Sequence, residues 1–244
     1  SGKILLANNL QTALQSAKVN REEIVDFGAK FIRRGHDDGL NYFFVNHSDR
    51  KIDRWITLGE NCQSAVILDP LKADRAGIAA TRQTEGKTEI YMQLESGESC
   101  IVRTFTNRIA AGKQWRNLES SKPIFPITGV WDVKFVDGGP ELPPSFTSES
   151  LGSWTGRGDN QADRFAGTAR YSISFEMPDT PADDWLLDLG DVCESARVSI
   201  NGQNVGTLWS LPFRTPVGDY LQKGKNTLEI EVTNLSANRL RDLD

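Results

Sequence analysis

The sequence has no apolar run close to the roughly 20 residues that cross a lipid bilayer, and its first residues lack the basic and apolar regions of a signal peptide. Positive charge is not in excess either, since 28 Lys and Arg are outnumbered by 33 Asp and Glu, for a formal net charge of −5. Proteins that bind nucleic acid mass Lys and Arg on one face. We therefore expect neither a membrane nor a nucleic acid as a partner.

Histidine and cysteine are also scarce, with two and three residues respectively. The histidines, His36 and His47, lie in unrelated contexts, which argues against a His-based metal site or a nucleophile activated by His. The cysteines are odd in number and lack metal-ligand spacing; they are Cys62, Cys100 and Cys193. We expect ordinary buried thiols, because free cysteine behaves as a small hydrophobe, and only Cys62 with Cys100 is a candidate disulfide.

The chain does contain enough apolar residues, 38% of 244 positions, to build one large or two ordinary globular domains. Its first stretch differs from the rest. An apolar strand is predicted at residues 4–6, followed by a short helix after the cap signal Asn8-Asn9. One strand and one short helix cannot bury their faces alone. Residues 1–30 are therefore interpreted as an α/β remnant of a missing upstream domain, with the chain beginning inside a larger protein.

From Phe31 the apolar period changes to two, which is typical of β-strands. Short runs such as "LNYFFVNHS", "RWITLG" and "TEIYMQLESGESCIVRTF" are separated by Gly, Asp, Asn and Pro. This pattern predicts a β-sandwich over residues 31–110. The polar, Pro-containing stretch at 111–126 predicts a linker, and a second sandwich is predicted over residues 127–244.

Strands of the second half are predicted at residues 129–136, 168–175, 185–189, 196–200, 204–208 and 227–232. The segment between the first two of them is rich in Gly, Pro, Ser and Asp and is too long for a routine connection. Long loops of this kind are commonly functional or disordered. A function or disorder is therefore expected for residues 137–167.

The stretch "SINGQNVGTLWSLPFR" predicts a hairpin with an unusual end. Asn201-Gly202 is the pair that a two-residue primed turn demands, because both residues must tolerate positive φ. Pro212 cannot donate to a strand ladder, so the chain is expected to leave the sheet there. Phe213 and Val217 are then expected to close the end of the sandwich.

The second half resembles a known carbohydrate-active family. The stretches "FAGTARYSISFEMPD" and "DDWLLDLGDVCESARVSINGQNVGTLWSLPFRTPVGDYLQKGKNTLEIEVTN" resemble the sugar-binding, galactose-binding-like jelly-roll domain of glycoside hydrolase family 2. The nearer resemblance is to the C-terminal part of the α-L-rhamnosidase-like enzymes of glycoside hydrolase family 106, whose modules also end in a segment like "NLSANRLRDLD". Their preceding sandwich resembles "YFFVNHSDRKI", so the likeness extends over about residues 36–244.

Three residues are candidates for carbohydrate binding, namely Trp154, Trp209 and Arg214. Aromatic faces suit the apolar C–H face of a pyranose, and a nearby Arg can hydrogen-bond its hydroxyls. For Trp209 the favoured alternative is burial against a neighbouring domain of a multidomain enzyme.

No catalytic residue is assigned. Glycoside hydrolysis uses two carboxylates about 5 Å or about 6.5–9.5 Å apart, and several acidic residues flank loops here: Asp159, Asp163, Asp188, Asp191 and Glu194. The resemblance, however, implies that the family's catalytic acids lie in an N-terminal barrel that matches no part of this chain. We expect these residues to be solvated and expect no cofactor, with a structural calcium ion as the alternative for their oxygen ligands.

The residues and the resemblance together predict a mainly β chain with two β-sandwich domains, the second a galactose-binding-like jelly roll, preceded by a short α/β remnant. The predicted role is that of a non-catalytic part of a rhamnosidase-like glycoside hydrolase. Its expected partner is the upstream catalytic domain of the same chain, with carbohydrate as a second candidate. An autonomous carbohydrate-binding module and a purely structural interdomain module stay open as alternatives. The resemblance implies a periplasmic or extracellular location in a bacterium.

Overall fold

The computed structural model describes residue 4 and residues 6–17, 19–72, 75–119 and 124–241. Antiparallel strands dominate it, and the chain divides into two compact units, Ser1–Glu119 and Ser120–Asp244. The prediction of a mainly β fold with sandwich-type sheets is confirmed. Within the described ranges, no helix is long and apolar enough to span a bilayer.

The first unit consists of two antiparallel sheets that share one core. Its elements are α1 (Leu10–Ser16), a 3-10 helix (Glu23–Phe27), β1 (Ala29–His36), β2 (Gly39–Asn46), β3 (Ile52–Thr57), β4 (Ser64–Leu68), β5 (Ala76–Ile78), β6 (Thr81–Thr84), β7 (Lys87–Leu94) and β8 (Ser99–Phe105). A five-stranded sheet has the order β1-β2-β8-β4-β5, and a three-stranded sheet has the order β3-β7-β6. Buried residues of both sheets, such as Phe44 and Val102 from one and Ile56 and Ile90 from the other, form the core.

The beginning of the chain differs in part from its prediction. Helix α1 forms as expected, and the Thr12 amide donates to Asn9 Oδ1 at 2.9 Å, which caps the first turn. The predicted strand does not extend through Ile4 and Leu6, which are 96% and 100% exposed and belong to no strand, while Leu5 lies outside the described residues.

Residues near the end of the expected α/β remnant belong instead to the first sandwich. Ile24, in the 3-10 helix, and Ala29, at the start of β1, are both buried in its core. The following linker is also attached to this unit in its first part, because the Ile78 amide donates to the Lys113 carbonyl and the Trp115 amide donates to the Ile78 carbonyl. Local periodicity did not indicate either attachment, since both depend on contacts distant in sequence.

The second unit packs a six-stranded antiparallel sheet against a smaller layer. Its elements are β9 (Trp131–Gly139), β10 (Phe146–Ser148), α2 (Asn160–Asp163), β11 (Ala166–Glu176), β12 (Leu186–Asp188), β13 (Ser195–Ile200), β14 (Gln203–Leu208), β15 (Arg214–Pro216), a 3-10 helix (Gly218–Tyr220), β16 (Lys225–Thr233) and α3 (Ala237–Arg241). The large sheet has the order β10-β9-β11-β16-β13-β14, and β12 pairs with β15 in a two-stranded sheet. The predicted strands are all present, with bounds shifted by a few residues.

The long segment between β9 and β11 is structured, which rules out disorder, one of its two expected alternatives, for this segment. It contains β10 and α2, and it contributes Trp154, Ala162 and Phe165 to the core of the second unit. The Asp159 side chain accepts hydrogen bonds from the Gln161 and Ala162 amides and thereby caps α2. The composition of the segment is typical of a loop, because the apolar residues that anchor it in the core are separated by many turn residues.

The hairpin between β13 and β14 forms as predicted. Asn201 and Gly202 have φ values of 52° and 74°, and the turn connects the paired residues Ile200 and Gln203. A residue other than glycine fits such a turn only if its backbone can adopt positive φ. The Asn201 side chain also donates to Asn226 Oδ1 at 2.8 Å, which ties the turn to the start of β16.

Replacing Gly202 by Val is expected to lower the free energy of unfolding by about 1–3 kcal/mol, because a β-branched residue is strained at positive φ. Nothing lies within 4 Å of a Cβ placed on Gly202, so backbone conformation rather than a clash causes the loss. Urea denaturation of the 244-residue chain measures it. Gln203→Val, on the adjacent exposed strand position, is the control and should unfold like the parent chain. Equal stability of both variants would contradict the turn.

The end of this hairpin is a corner of the sandwich, as predicted. Leu208, the last residue of β14, is buried, and after Pro212 the chain enters the two-stranded sheet rather than continuing in the six-stranded one. Phe213 and Val217 are 7% and 4% exposed and belong to the core of the second unit. Residues 209–212, hereafter the Trp209 loop, therefore lie between two buried anchors.

Candidate functional site

The Trp209 loop exposes large apolar side chains from a firmly held backbone. Trp209 is 60% and Leu211 is 53% exposed, while Leu208 before the loop and Phe213 after it are each 7% exposed. The Leu189 amide donates to the Phe213 carbonyl at 3.0 Å, which fixes the return of the chain. An exposed Trp on a fixed backbone offers a flat apolar face at low cost in conformational entropy.

Arg214 follows this loop and pairs with an acidic residue of the neighbouring strand. Asp188 lies directly opposite Arg214 in the β12–β15 pair, and Arg214 Nε donates to Asp188 Oδ2 at 2.8 Å. The other carboxylate oxygen of Asp188 accepts from the Gly190 amide at 2.9 Å. A sugar hydroxyl at this guanidinium would therefore compete with an existing charge-assisted hydrogen bond.

Leu186 is a further exposed apolar residue, on the same strand as Asp188. It is 43% exposed, and its spacing of two residues from Asp188 places both side chains on one face of β12. Neither Leu186 nor Leu211 was among the predicted site residues. Trp209 was singled out because it is a large apolar residue at the end of a strand, where a single sandwich has no core position for it. The same signal is present at both leucines.

Trp154 is not part of this surface, which corrects its prediction as a carbohydrate-binding residue. It is 5% exposed and packs edge-to-face with Phe135 and Phe165 at ring-centroid distances of 5.8 and 6.2 Å. Its indole Nε1 is buried and has no hydrogen-bond partner. The ring therefore fills the core of the second unit and has no face open to a sugar.

Three of the five acidic residues that flank loops organise local structure. Asp159 caps α2, Asp163 Oδ1 accepts from the Gly156 amide at 2.6 Å, and Asp188 pairs with Arg214. In the part of the chain that the structure describes, no group of three or more His, Cys, Asp or Glu is placed to hold a metal ion. The structural calcium ion stays a prediction without a located site.

Two of the three cysteines are buried free thiols, as predicted. They are Cys62 and Cys100, so the one candidate disulfide does not form. Burial raises the pKa of the Cys62 thiol to about 11 and also raises that of Cys100, so neither supplies a thiolate nucleophile near neutral pH. Cys193 is exposed rather than buried.

The chain is similar to known carbohydrate-active enzymes. No protein-family model matches it. A solved rhamnosidase structure from Novosphingobium sp. PP1Y matches 96% of this chain and 23% of that chain, with 27% identity and a TM-score of 0.75. A Formosa agariphila protein named "Putative beta-glucuronidase" is 38% identical over 122 residues, which is 49% of this chain and 10% of that protein.

These relatives are glycoside hydrolases. The β-glucuronidase of Bifidobacterium dentium, solved with coumarin-3-O-glucuronide, also matches, with 27% identity over 48% of this chain and 21% of that chain and a TM-score of 0.40. The match to the Novosphingobium rhamnosidase shows that the sandwich units have a rhamnosidase-like fold, in agreement with the resemblance found in the sequence. The chain spans about a quarter of the rhamnosidase and about a tenth of the Formosa protein.

Proposed function

We propose that this chain is a non-catalytic part of a longer, rhamnosidase-like glycoside hydrolase and that it supports the catalytic domain of the same polypeptide. The match of 96% of this chain to 23% of a rhamnosidase carries the proposal. Assignment of the parent protein to glycoside hydrolase family 106, with a family 2-type sugar-binding domain, belongs to the same proposal and rests on the quoted stretches. A periplasmic or extracellular location in a bacterium would suit a hydrolase of glycans.

The Trp209 loop is the surface through which the second unit would contact the rest of the parent protein. Covering apolar surface contributes about 25 cal/mol for each Å² removed from water, and Trp209 and Leu211 are both more than half exposed. The buried anchors on either side of the loop hold these side chains in place, so little further ordering is needed on docking. The Asp188–Arg214 pair leaves the adjacent charges already balanced.

Carbohydrate binding by the same loop is the second candidate function. The observation that favours it is the exposed indole of Trp209, on which an apolar sugar face can stack. Interdomain contact is better supported, because the Arg214 guanidinium is engaged by Asp188 and Trp154 is buried. Only Trp209 and Arg214 of the three predicted binding residues therefore remain candidates.

Replacing Trp209 by Ala is expected to leave the melting temperature of the 244-residue chain nearly unchanged, because the side chain contributes little to the core. In the parent protein the same substitution should loosen docking and lower the melting temperature. Leu208→Ala is the adjacent buried control and should cost about 2–5 kcal/mol in the 244-residue chain. A change in tryptophan fluorescence with mono- or oligosaccharides that disappears in Trp209→Ala would instead support carbohydrate binding.

The 244-residue chain is expected to hydrolyse no glycoside, since the acidic residues with described contacts cap, pair or brace local structure. Aryl rhamnosides, galactosides and glucuronides at high protein concentration provide the assay. Turnover that survives repurification and is lost in Asp188→Asn or another single carboxylate variant of this chain would refute the non-catalytic role. Turnover that no such variant affects would indicate a contaminating enzyme.

A further inference from the structure

The five-stranded sheet of the first unit has one buried face and one outward face. Side chains alternate between the two faces along each strand, and residues directly opposite each other on neighbouring strands share a face. Tyr42, Phe44, Val102 and Ile67 lie on the inner face and are each at most 2% exposed in the core. The residues that alternate with them point away from this core.

A row of apolar residues crosses the outward face through all five strands. Each member is paired with the next across the sheet, and the row is Ile32, Phe43, Ile101, Leu68 and Ala76. Opposed Cβ atoms lie about 4.5–5.5 Å apart, so these side chains form a continuous strip. Ile32 is 64% and Phe43 is 38% exposed. Isolated soluble domains rarely expose large contiguous apolar strips.

The outward face of the six-stranded sheet in the second unit is built differently. The corresponding row there is Lys134, Arg170, Glu231, Arg197 and Thr207. Glu231 accepts hydrogen bonds from Arg170 at 2.7 Å and from Arg197 at 3.4 Å. Cross-strand ion pairs of this kind are typical of a sheet face in water. The apolar row of the first unit therefore departs from the pattern of a hydrated face within the same chain.

Basic residues flank the apolar row. Arg34 and Arg103 lie on the outward face on one side of it, both opposite Asn41 of β2, and Lys30 lies on the other side. All five strands are described, and these three basic residues are the only charged Lys, Arg, Asp or Glu residues that the strands place on this face. The face is therefore positively charged, although the chain as a whole carries a net charge of −5. A complementary surface has an apolar centre and carboxylates around it.

We propose that the outward face of the five-stranded sheet docks a further domain of the parent hydrolase, through an apolar surface rimmed by Asp and Glu. This inference rests on the proposed function. The chain accounts for 23% of the rhamnosidase and 10% of the Formosa protein that it matches, so a parent of such length has ample chain to cover this face. A second copy would present the same basic rim, and like charges would oppose the contact.

Hydroxyl-radical footprinting of the 244-residue chain and of the parent protein tests the proposal. Oxidation of Phe43 is expected to fall several-fold in the parent, because docking covers the ring. Ile32→Glu and Arg34→Glu should each restore it there and lower the parent's melting temperature. Lys134→Glu is the matched control, since Lys134 is exposed on the outward face of the other sheet, on strand β9, and it should do neither. All three variants should leave the 244-residue chain folded.

Two results would overturn the docking inference. One is equal oxidation of Phe43 in the two proteins. The other is a dimer of the 244-residue chain, measured by light scattering, that Ile32→Glu converts to monomer, because a second copy would then cover the face. Hydrolysis of aryl glycosides by the parent is measured separately. Protection of Phe43 in a parent without glycosidase activity would support docking and would overturn the proposed function.

Discussion

Replacing Glu22 by Ala is expected to lower the free energy of unfolding of the first unit by about 3–5 kcal/mol, because it removes one partner of a buried ion pair. Glu22 is 2% exposed, its Oε1 accepts from Arg33 at 2.6 Å, and its Oε2 accepts from the Gly59 amide at 2.8 Å. The truncated side chain would leave a partly buried guanidinium and a backbone N–H without this acceptor. Urea denaturation of the 244-residue chain gives the difference.

Two further variants identify the cause of the loss. Glu22→Gln keeps an acceptor for the Gly59 amide but removes the charge, so an intermediate stability is expected. Asp26 lies in the adjacent 3-10 helix and forms an exposed ion pair with Arg21. Asp26→Ala should leave the unfolding transition nearly unchanged, because exposed ion pairs contribute little to stability. If Glu22→Ala were as stable as Asp26→Ala, the carboxylate would not hold residues 22–28 against the sandwich.

Replacing Trp154 by Ala is expected to cost about 3–5 kcal/mol in the second unit, the usual range for truncating a large aromatic residue in a core. Trp154 packs against Phe135 and Phe165 and is 5% exposed. The cavity left in this aromatic cluster cannot be filled without moving both rings. Thermal and urea unfolding of the 244-residue chain provide the measurement.

Trp154→Phe separates packing from the buried polar atom. The phenyl ring retains most of the contact and removes the unpaired Nε1, so the loss should be smaller than for Ala. Trp209→Ala is the exposed comparison and should not change stability in the 244-residue chain. Unchanged stability of Trp154→Ala together with weaker sugar binding would restore Trp154 to the binding surface and contradict its place in the core.

Much of the second unit could be predicted because its signals are local. Positive φ at Asn201 and Gly202 follows from the chemistry of those two residues, and the exit of the chain near Pro212 follows from the missing amide of proline. Leu228 and Ile230, two residues apart in the predicted strand at 227–232, are both buried, as the alternation of side chains along a strand requires. Each of these features is decided within a few residues along the chain.

Burial of individual side chains could not be predicted in the same way. Trp154 and Trp209 both lie in segments rich in turn residues, yet one is 5% and the other 60% exposed. Cys193 and Cys62 carry the same side chain, yet only Cys62 is buried. What surrounds each of these residues depends on elements far away in sequence, and composition near the residue carries no record of them.

The sequence by itself determined the mainly β class, the positions of most strands, the hairpin turn and the resemblance to glycoside hydrolases, since alternation and turn chemistry act between near neighbours. Only the tertiary structure decided which face of each strand is covered. In β1 and β2 apolar residues occur at both phases of the alternation, with Phe31 and Phe44 inward and Ile32 and Phe43 outward. A period of two separates these faces but does not say which one meets the second sheet, because that depends on the long-range packing of the three-stranded sheet and of Glu22 against them.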